Sequence, residues 1–264
     1  MSNLGTALIT GASTGIGAIY ADRLARRGHD LILVARNRDR LLTLAKRLTD
    51  ETGRSVEVVG ADLTNKADLA RVEATLATDA SITVLVNNAG VAATTPLLES
   101  GVADMEAMIG LNIGALTRLT YAAAPGFVAR GAGTIINIAS IVAVAPELLN
   151  GVYGASKAYV LALSQSLQHE LSAKGVRIQA VLPGATATEL WRNAGRPVEL
   201  LPPEIVMTAE DMVDAALAGL DLGEVVTIPS LPDAADWAAY EAARQVLMPQ
   251  LSRRQPAARY AKAA

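Results

Sequence analysis

Short apolar runs alternate along the chain with longer segments in which apolar residues recur every three or four positions. The runs lie at residues 6–9, 30–35, 55–59, 83–86, 134–139, 177–182 and 225–228. Strands that read as continuous apolar runs are buried on both faces, as in a parallel sheet covered by helices. The segments between them are mostly long enough for a helix. Alternating β and α units imply a doubly wound α/β architecture with right-handed crossovers. No internal repeat, low-complexity linker or shift in composition divides the chain, so one domain over residues 1–264 is expected.

Two regions break the alternation. Residues 186–207 are irregular, with Gly195, Pro197, Pro202 and Pro203. A helix at about 209–220 and the last strand follow them. Residues 232–249 then predict an extra amphipathic helix (about 233–250), with Trp237, Tyr240, Arg244, Leu247 and Leu251 at three- and four-residue spacing. Such a stripe reads as core or subunit packing.

Composition narrows the chemistry. The chain has 264 residues, of which 51% are hydrophobic, and no cysteine. That excludes a disulfide framework, a thiolate metal site and a cysteine nucleophile. His29 and His169 are the only histidines, so no metal site is expected. The net charge of −3 argues against a nucleic-acid partner. The N-terminus has no basic segment before its first apolar stretch, so no targeting signal is read. The longest apolar stretch, 134–149, is interrupted by Asn137, Ser140, Pro146 and Glu147, which does not suit a membrane span. A cytoplasmic protein with no membrane partner is expected.

The first strand leads into Thr10-Gly-Ala-Ser-Thr-Gly-Ile-Gly17, and a helix pattern follows. Glycine lets a strand turn sharply and lets backbone N–H groups approach an anion. A helix N-terminus aimed at the same place favours phosphate. A glycine trio alone would fit any turn; between a first strand and a first helix it fits a dinucleotide. About 20 residues on, such folds place an acid when they prefer NAD. Here residues 35–38 carry no carboxylate, and Arg36 stands there with Arg38 and Arg40 nearby. A guanidinium can clamp a 2′-phosphate. Arg38 and Arg40 also fit a solvated helix start. NADP(H) is therefore expected in preference to NAD(H). Asp62 and Leu63, after the third strand, either face the adenine or open a helix. Asn87-Asn-Ala-Gly90 ends the fourth strand with residues that suit a backbone packed beside a cofactor.

Tyr153 and Lys157 lie one turn apart on a helix face. A free phenol has a pKa near ~10. A nearby ammonium favours the phenolate and lowers that value. The pair would then exchange a proton in either direction. Ser140, at the end of the fifth strand, could hold a substrate oxygen. Asn112 is a polar residue in an otherwise apolar helix.

Jointly these residues resemble the short-chain dehydrogenase/reductase family, in its compact branch. The resemblance rests on the glycine motif, Asn87-Asn-Ala-Gly90, Asn112, Ser140, Tyr153-x-x-x-Lys157 and Pro183-Gly184, and covers residues from about 4 to 229. It implies a Rossmann fold with a seven-stranded parallel sheet. It implies a catalytic tetrad of Asn112, Ser140, Tyr153 and Lys157, in which Asn112 places a water beside Lys157 and Lys157 holds the nicotinamide ribose. The cofactor contacts it implies, together with those read above, are Gly11, Ser13, Thr14, Gly15, Ile16, Gly17, Arg36, Asp62, Leu63, Asn88, Ala89, Gly90, Tyr153, Lys157, Pro183, Gly184, Thr186 and Thr188. Relatives that use NADP often carry a basic residue inside the glycine motif, where this chain has Thr14.

The implied reaction is reversible hydride transfer between NADP(H) and a ketone or secondary alcohol. Residues 186–207 resemble the mobile substrate lid of these enzymes. With Leu190 and Trp191 they would form one apolar wall, and Val142 and Leu148 of the loop 142–151 the other, around Ser140 and Tyr153. Arg192 and Arg196 of the lid could meet an acidic group or stay in water. A mainly apolar substrate is expected. The alternatives are a dinucleotide-binding sensor without turnover and an epimerase or dehydratase of the same family. The helices expected at 104–130 and 153–174 resemble the family's dimer-forming pair, and a homotetramer is expected, with a dimer as the second choice.

Overall fold

The structure, a computed structural model, describes residues 4–260. Seven parallel strands form one sheet in the order β3-β2-β1-β4-β5-β6-β7. They are β1 (Thr6–Thr10), β2 (Asp30–Ala35), β3 (Val56–Gly60), β4 (Ile82–Asn87), β5 (Gly133–Ile138), β6 (Val176–Val181) and β7 (Val226–Thr227). Each expected run becomes a strand. The last is only two residues long, pairing with Ala180 and Val181. Pro229 follows closely and cannot donate to a ladder, so β7 stops early.

The helices are α1 (Gly15–Arg27), α2 (Arg38–Thr52), α3 (Lys66–Thr78), α4 (Val102–Ile109), α5 (Leu116–Arg130), α6 (Gly151–Leu171), α7 (Glu189–Asn193), α8 (Ala209–Asp221) and α9 (Ala234–Leu247). Successive strand residues point to opposite faces, and each face has its own core. Ala7, Ile9, Leu31, Leu33, Val84 and Val86 pack with Tyr20 and Leu24 of α1, Leu41 and Leu48 of α2, and Met212, Val213 and Leu217 of α8. The alternate residues Leu8, Ile32, Val34 and Leu85 pack with Leu69, Val72 and Leu76 of α3, Leu119 and Phe127 of α5, and Leu167 and Leu171 of α6. The continuous apolar runs therefore reflect helices on both sides of every central strand.

Chain order reverses between β1 and β4, so their carboxyl ends form the crevice where open α/β sheets bind ligands. The helix expected over 104–130 is interrupted: a π-helical segment, Gly110–Ala115, joins α4 to α5 and carries Asn112. The helix expected over 153–174 begins two residues early, at Gly151, and tightens into a 3₁₀ turn at Ser172–Lys174. Asn150 sets that start, because its side chain accepts from the Val152 and Tyr153 amides.

The chain divides into two compact units, Met1–Pro229 and Ser230–Ala264. The sheet and α1–α8 belong to the first. In the second, Asp233 caps α9, and Trp237 stacks on Tyr240 with ring centres 5.1 Å apart. The stripe expected to pack is open along α9, where no residue is buried. Among the described residues, no helix is long and apolar enough to cross a membrane.

Candidate active site

The glycine turn follows β1. Gly11 and Gly15 take φ values of +66° and +53°, the left-handed region that glycine tolerates. A Cβ on Gly17 would lie 2.4 Å from the Gly11 carbonyl oxygen, so α1 can pack this closely only through glycine. Thr14 caps α1 without a side-chain hydrogen bond, and the first turn carries no acid. The N-terminal amides of α1 are thus left to an anion. Ser13, Thr14 and Ile16 are half-buried around the turn.

Thr10 and Asn88 brace this turn from below. The Thr10 hydroxyl accepts from the Asn88 and Ala89 amides, both at 3.0 Å, and donates to Val86 O. The Asn88 side-chain amide donates to Thr10 O at 2.9 Å and to Gly11 O at 3.2 Å. Thr10 stood in the motif, but its bracing was not read from the sequence; its near-complete burial is the signal a structure adds.

At the end of β2, Arg36 and Arg38 are exposed, and neither enters an ion pair among the described residues. The Arg38 stem lies over Gly60, whose Cβ position is 3.5 Å from Arg38 Cδ. Arg40 instead pairs with Glu189 of α7 at 2.8 Å. Asp62 Oδ1 accepts from the Thr64 hydroxyl at 2.7 Å and the Thr64 amide at 2.9 Å. Those bonds hold its carboxyl below the ordinary range against a small desolvation cost, and the Arg36 guanidinium adds to them. Asn65, not Asp62, caps α3. The Leu63 side chain is buried in the core on the α3 face.

Ser140, Tyr153 and Lys157 converge beyond the carboxyl ends of β5 and β6, all buried. Ser140 Oγ donates to Pro183 O at 3.4 Å and lies close enough to the Tyr153 phenol to favour its charged form. Lys157 Nζ donates to Ile138 O at 2.9 Å and sits 5.8 Å from the Tyr153 ring centre. Burial pushes the phenol up to about 12, and Ser140 offsets only part of that. Burial likewise pulls the Lys157 ammonium down to about 8. The expected lowering of Tyr153 by Lys157 is therefore not found. Desolvation of two groups in a water-poor pocket outweighs their spacing on one helix face.

Asn112 is 2% exposed. Its side chain pairs with both backbone groups of Val91, each at 2.9 Å, and donates to Ser156 Oγ at 3.2 Å. A Cβ on Gly90 would meet Asn112 Oδ1 at 3.1 Å and Lys157 Nζ at 3.7 Å, so Gly90 leaves the space these two groups share. Asn150, which sequence reading missed, both caps α6 beneath Tyr153 and donates to Thr95 O at 2.6 Å. An Asn directly before a helix was the available signal.

The stretch 186–207 is more ordered than its sequence suggests. A bridge joins Thr186 to Met207, and α7 and two 3₁₀ turns fill the interior. Thr186 is buried and Gly184 half-buried. The Trp191 indole donates to Thr186 O at 3.1 Å. Leu190 and Trp191 are half-buried and Leu148 is exposed. Val142 is buried in a small cluster with Tyr153, Ala93 and Met108. Thr188 lies against Gly15, and a cavity of about 400 Å³ opens between the glycine turn and α7.

Comparison with known proteins agrees with this geometry. The short chain dehydrogenase family model matches residues 5–198. The chain belongs to that family. It is an oxidoreductase of the Rossmann type. A short-chain dehydrogenase from Sphingobium yanoikuyae in complex with NADPH is 54% identical, with a TM-score of 0.95, covering 98% of this chain and all of that one. The bulky-bulky ketone specific alcohol dehydrogenase from Comamonas testosteroni is 47% identical, with a TM-score of 0.90, covering 98% and 99%. An uncharacterized oxidoreductase of Staphylococcus saprophyticus is 38% identical over 77% of this chain and 88% of its own length. The free N-terminus of α1 and the unpaired Arg36 and Arg38 fit the same cofactor, NADP(H), in this chain.

Proposed function

We propose that the protein catalyses reversible hydride transfer between NADP(H) and a ketone or secondary alcohol that carries sizeable apolar groups on both sides of the reacting carbon. The observation that carries the reading is the joint burial of Ser140, Tyr153 and Lys157 beyond the sheet, with Lys157 Nζ 5.8 Å from the Tyr153 ring centre. When bound, NADPH supplies the hydride. Tyr153, protonated at neutral pH, donates its proton to the substrate oxygen as that oxygen gains charge. Ser140 hydrogen-bonds the same oxygen and so stabilises the charge where it develops. The Lys157 ammonium, held on Ile138 O, adds positive potential beside both.

The amides of α1 would hold the diphosphate of a bound dinucleotide, and Arg36, with Arg38, would hold its 2′-phosphate. The apolar walls come from Leu148 and Leu149 on one side and from Leu190 and Trp191 on the other. The name of the Comamonas relative supports a ketone that is large on both flanks. Val102, Ile109 and Tyr121, exposed along α4 and α5, supply an apolar face for a tetramer, which light scattering would test.

The direct test is NADPH oxidation over ketones in which each flank is enlarged in turn. Turnover should rise with bulk on both sides. Binding of NADPH without turnover on any ketone would overturn the reading.

A further inference from the structure

The glycine turn offers the cofactor no side-chain cation, since position 14 is Thr. A cation stands across the cavity instead. Its lining includes Thr14 and Gly15 on one side and Glu189, Arg192 and Glu199 on the other. Glu189 is already matched by Arg40 at 2.8 Å. Arg192 reaches Glu199 at 3.6 Å, the longest ion pair among the described residues, with side chains 75% and 65% exposed. Exposed pairs of this kind are weak and exchange readily for a better anion. Thr188, the residue that opens α7, lies against Gly15, and Arg192 comes four positions later and lines the same cavity. A diphosphate on the N-terminus of α1 would add negative charge to a cavity that Glu199 already lines. Glu199 would repel it unless a cation stood between them.

We infer that Arg192 leaves Glu199 when the dinucleotide binds and donates hydrogen bonds to its diphosphate, so that α7 supplies the charge the glycine turn lacks. The inference rests on the NADP(H) reading above and assigns Arg192 as a cofactor-binding residue of the lid. The diphosphate is common to both nicotinamide dinucleotides. Arg192 therefore strengthens both, whereas Arg36 distinguishes between them.

The test is fluorescence titration of the purified chain with NADPH and separately with NADH, with no substrate present. Arg192→Gln should raise Kd about tenfold for both, the scale of one partly exposed charge-assisted contact. The same factor should persist when Glu199→Gln is already in place. An unchanged Kd overturns the inference, as does a loss confined to NADPH. A loss that vanishes in the Glu199→Gln background also overturns it, because Arg192 would then only neutralise a neighbouring acid. Arg36→Ala separates this from the parent reading. It should weaken NADPH alone, and an unchanged preference there would remove the 2′-phosphate clamp while leaving the Arg192 result standing.

Discussion

The two walls of the cleft are built on opposite principles. Asn112, Ser140, Tyr153 and Lys157 are buried on the sheet side, with Asn112 and Lys157 tied to backbone by hydrogen bonds of 2.9 Å. The α7 side adds to its backbone bridge and the Trp191 hydrogen bond only ion pairs whose partners are about half-exposed or more, Arg40–Glu189 and Arg192–Glu199. Buried, fully bonded groups hold their geometry, and proton transfer and oxyanion stabilisation depend on geometry. Exposed pairs contribute little to stability and break at small cost. The buried side is therefore the more firmly held of the two.

The sharpest way to break that contrast is at the phenol. Tyr153→Phe removes the proton but little of the packing. It should lower kcat/KM by ~10²–10⁴, while NADPH binding measured by fluorescence stays near its original value. A variant that turns over normally would move the chemistry elsewhere.

The pH profile tests the same side more gently. Lys157 sits at about 8. It is charged below that value and neutral above it, whereas Tyr153, at about 12, keeps its proton throughout. Ketone reduction should be level below about 8 and fall above it, approaching tenfold per pH unit. A profile that stays flat well past 8 would show that the Lys157 charge is not needed.

Asn150 links the two effects. Asn150→Ala removes the α6 cap and the Thr95 contact and should cost about 0.5–2 kcal/mol in thermal unfolding. Activity should fall with stability, because the first turn carries Tyr153. Asn150→Ser should recover most of the loss.

The smallest effect is predicted on the lid. Arg40→Gln breaks the Glu189 pair and should cost less than about 1 kcal/mol, diminishing further in salt. A larger loss would mean the lid is part of the folded core.

Much of this was legible in the chain. The sheet could be read because burial on both faces leaves uninterrupted apolar runs, and the glycine turn because only glycine allows the Gly11–Gly17 approach. The residues proposed to carry the chemistry stood out by their types and spacing, and the fold brings Ser140, Tyr153 and Lys157 together. Other features depend on tertiary sums that no spacing encodes. The direction of the Tyr153 shift follows from how much water the fold removes, and the Asn112 contact with Val91 requires a helix wider than its pattern suggested. Arg38, which also fitted a solvated helix start, acquires meaning only when its stem is seen over Gly60 and no acid engages it.

The π-helical turn at Gly110–Ala115 has a consequence for how this site can change. Such a turn holds one residue more than the α-helical register around it. Leu116, Leu119, Ala123 and Phe127 keep α5 fixed in the interior. Deleting one residue here would therefore restore the α-helical register and leave both α4 and α5 on the faces they now hold. The change would fall on the turn itself, where Asn112 would lose the wide backbone that carries it to Val91. A single-codon event could thus re-aim one buried amide while the helices and the sheet beneath it kept their shape.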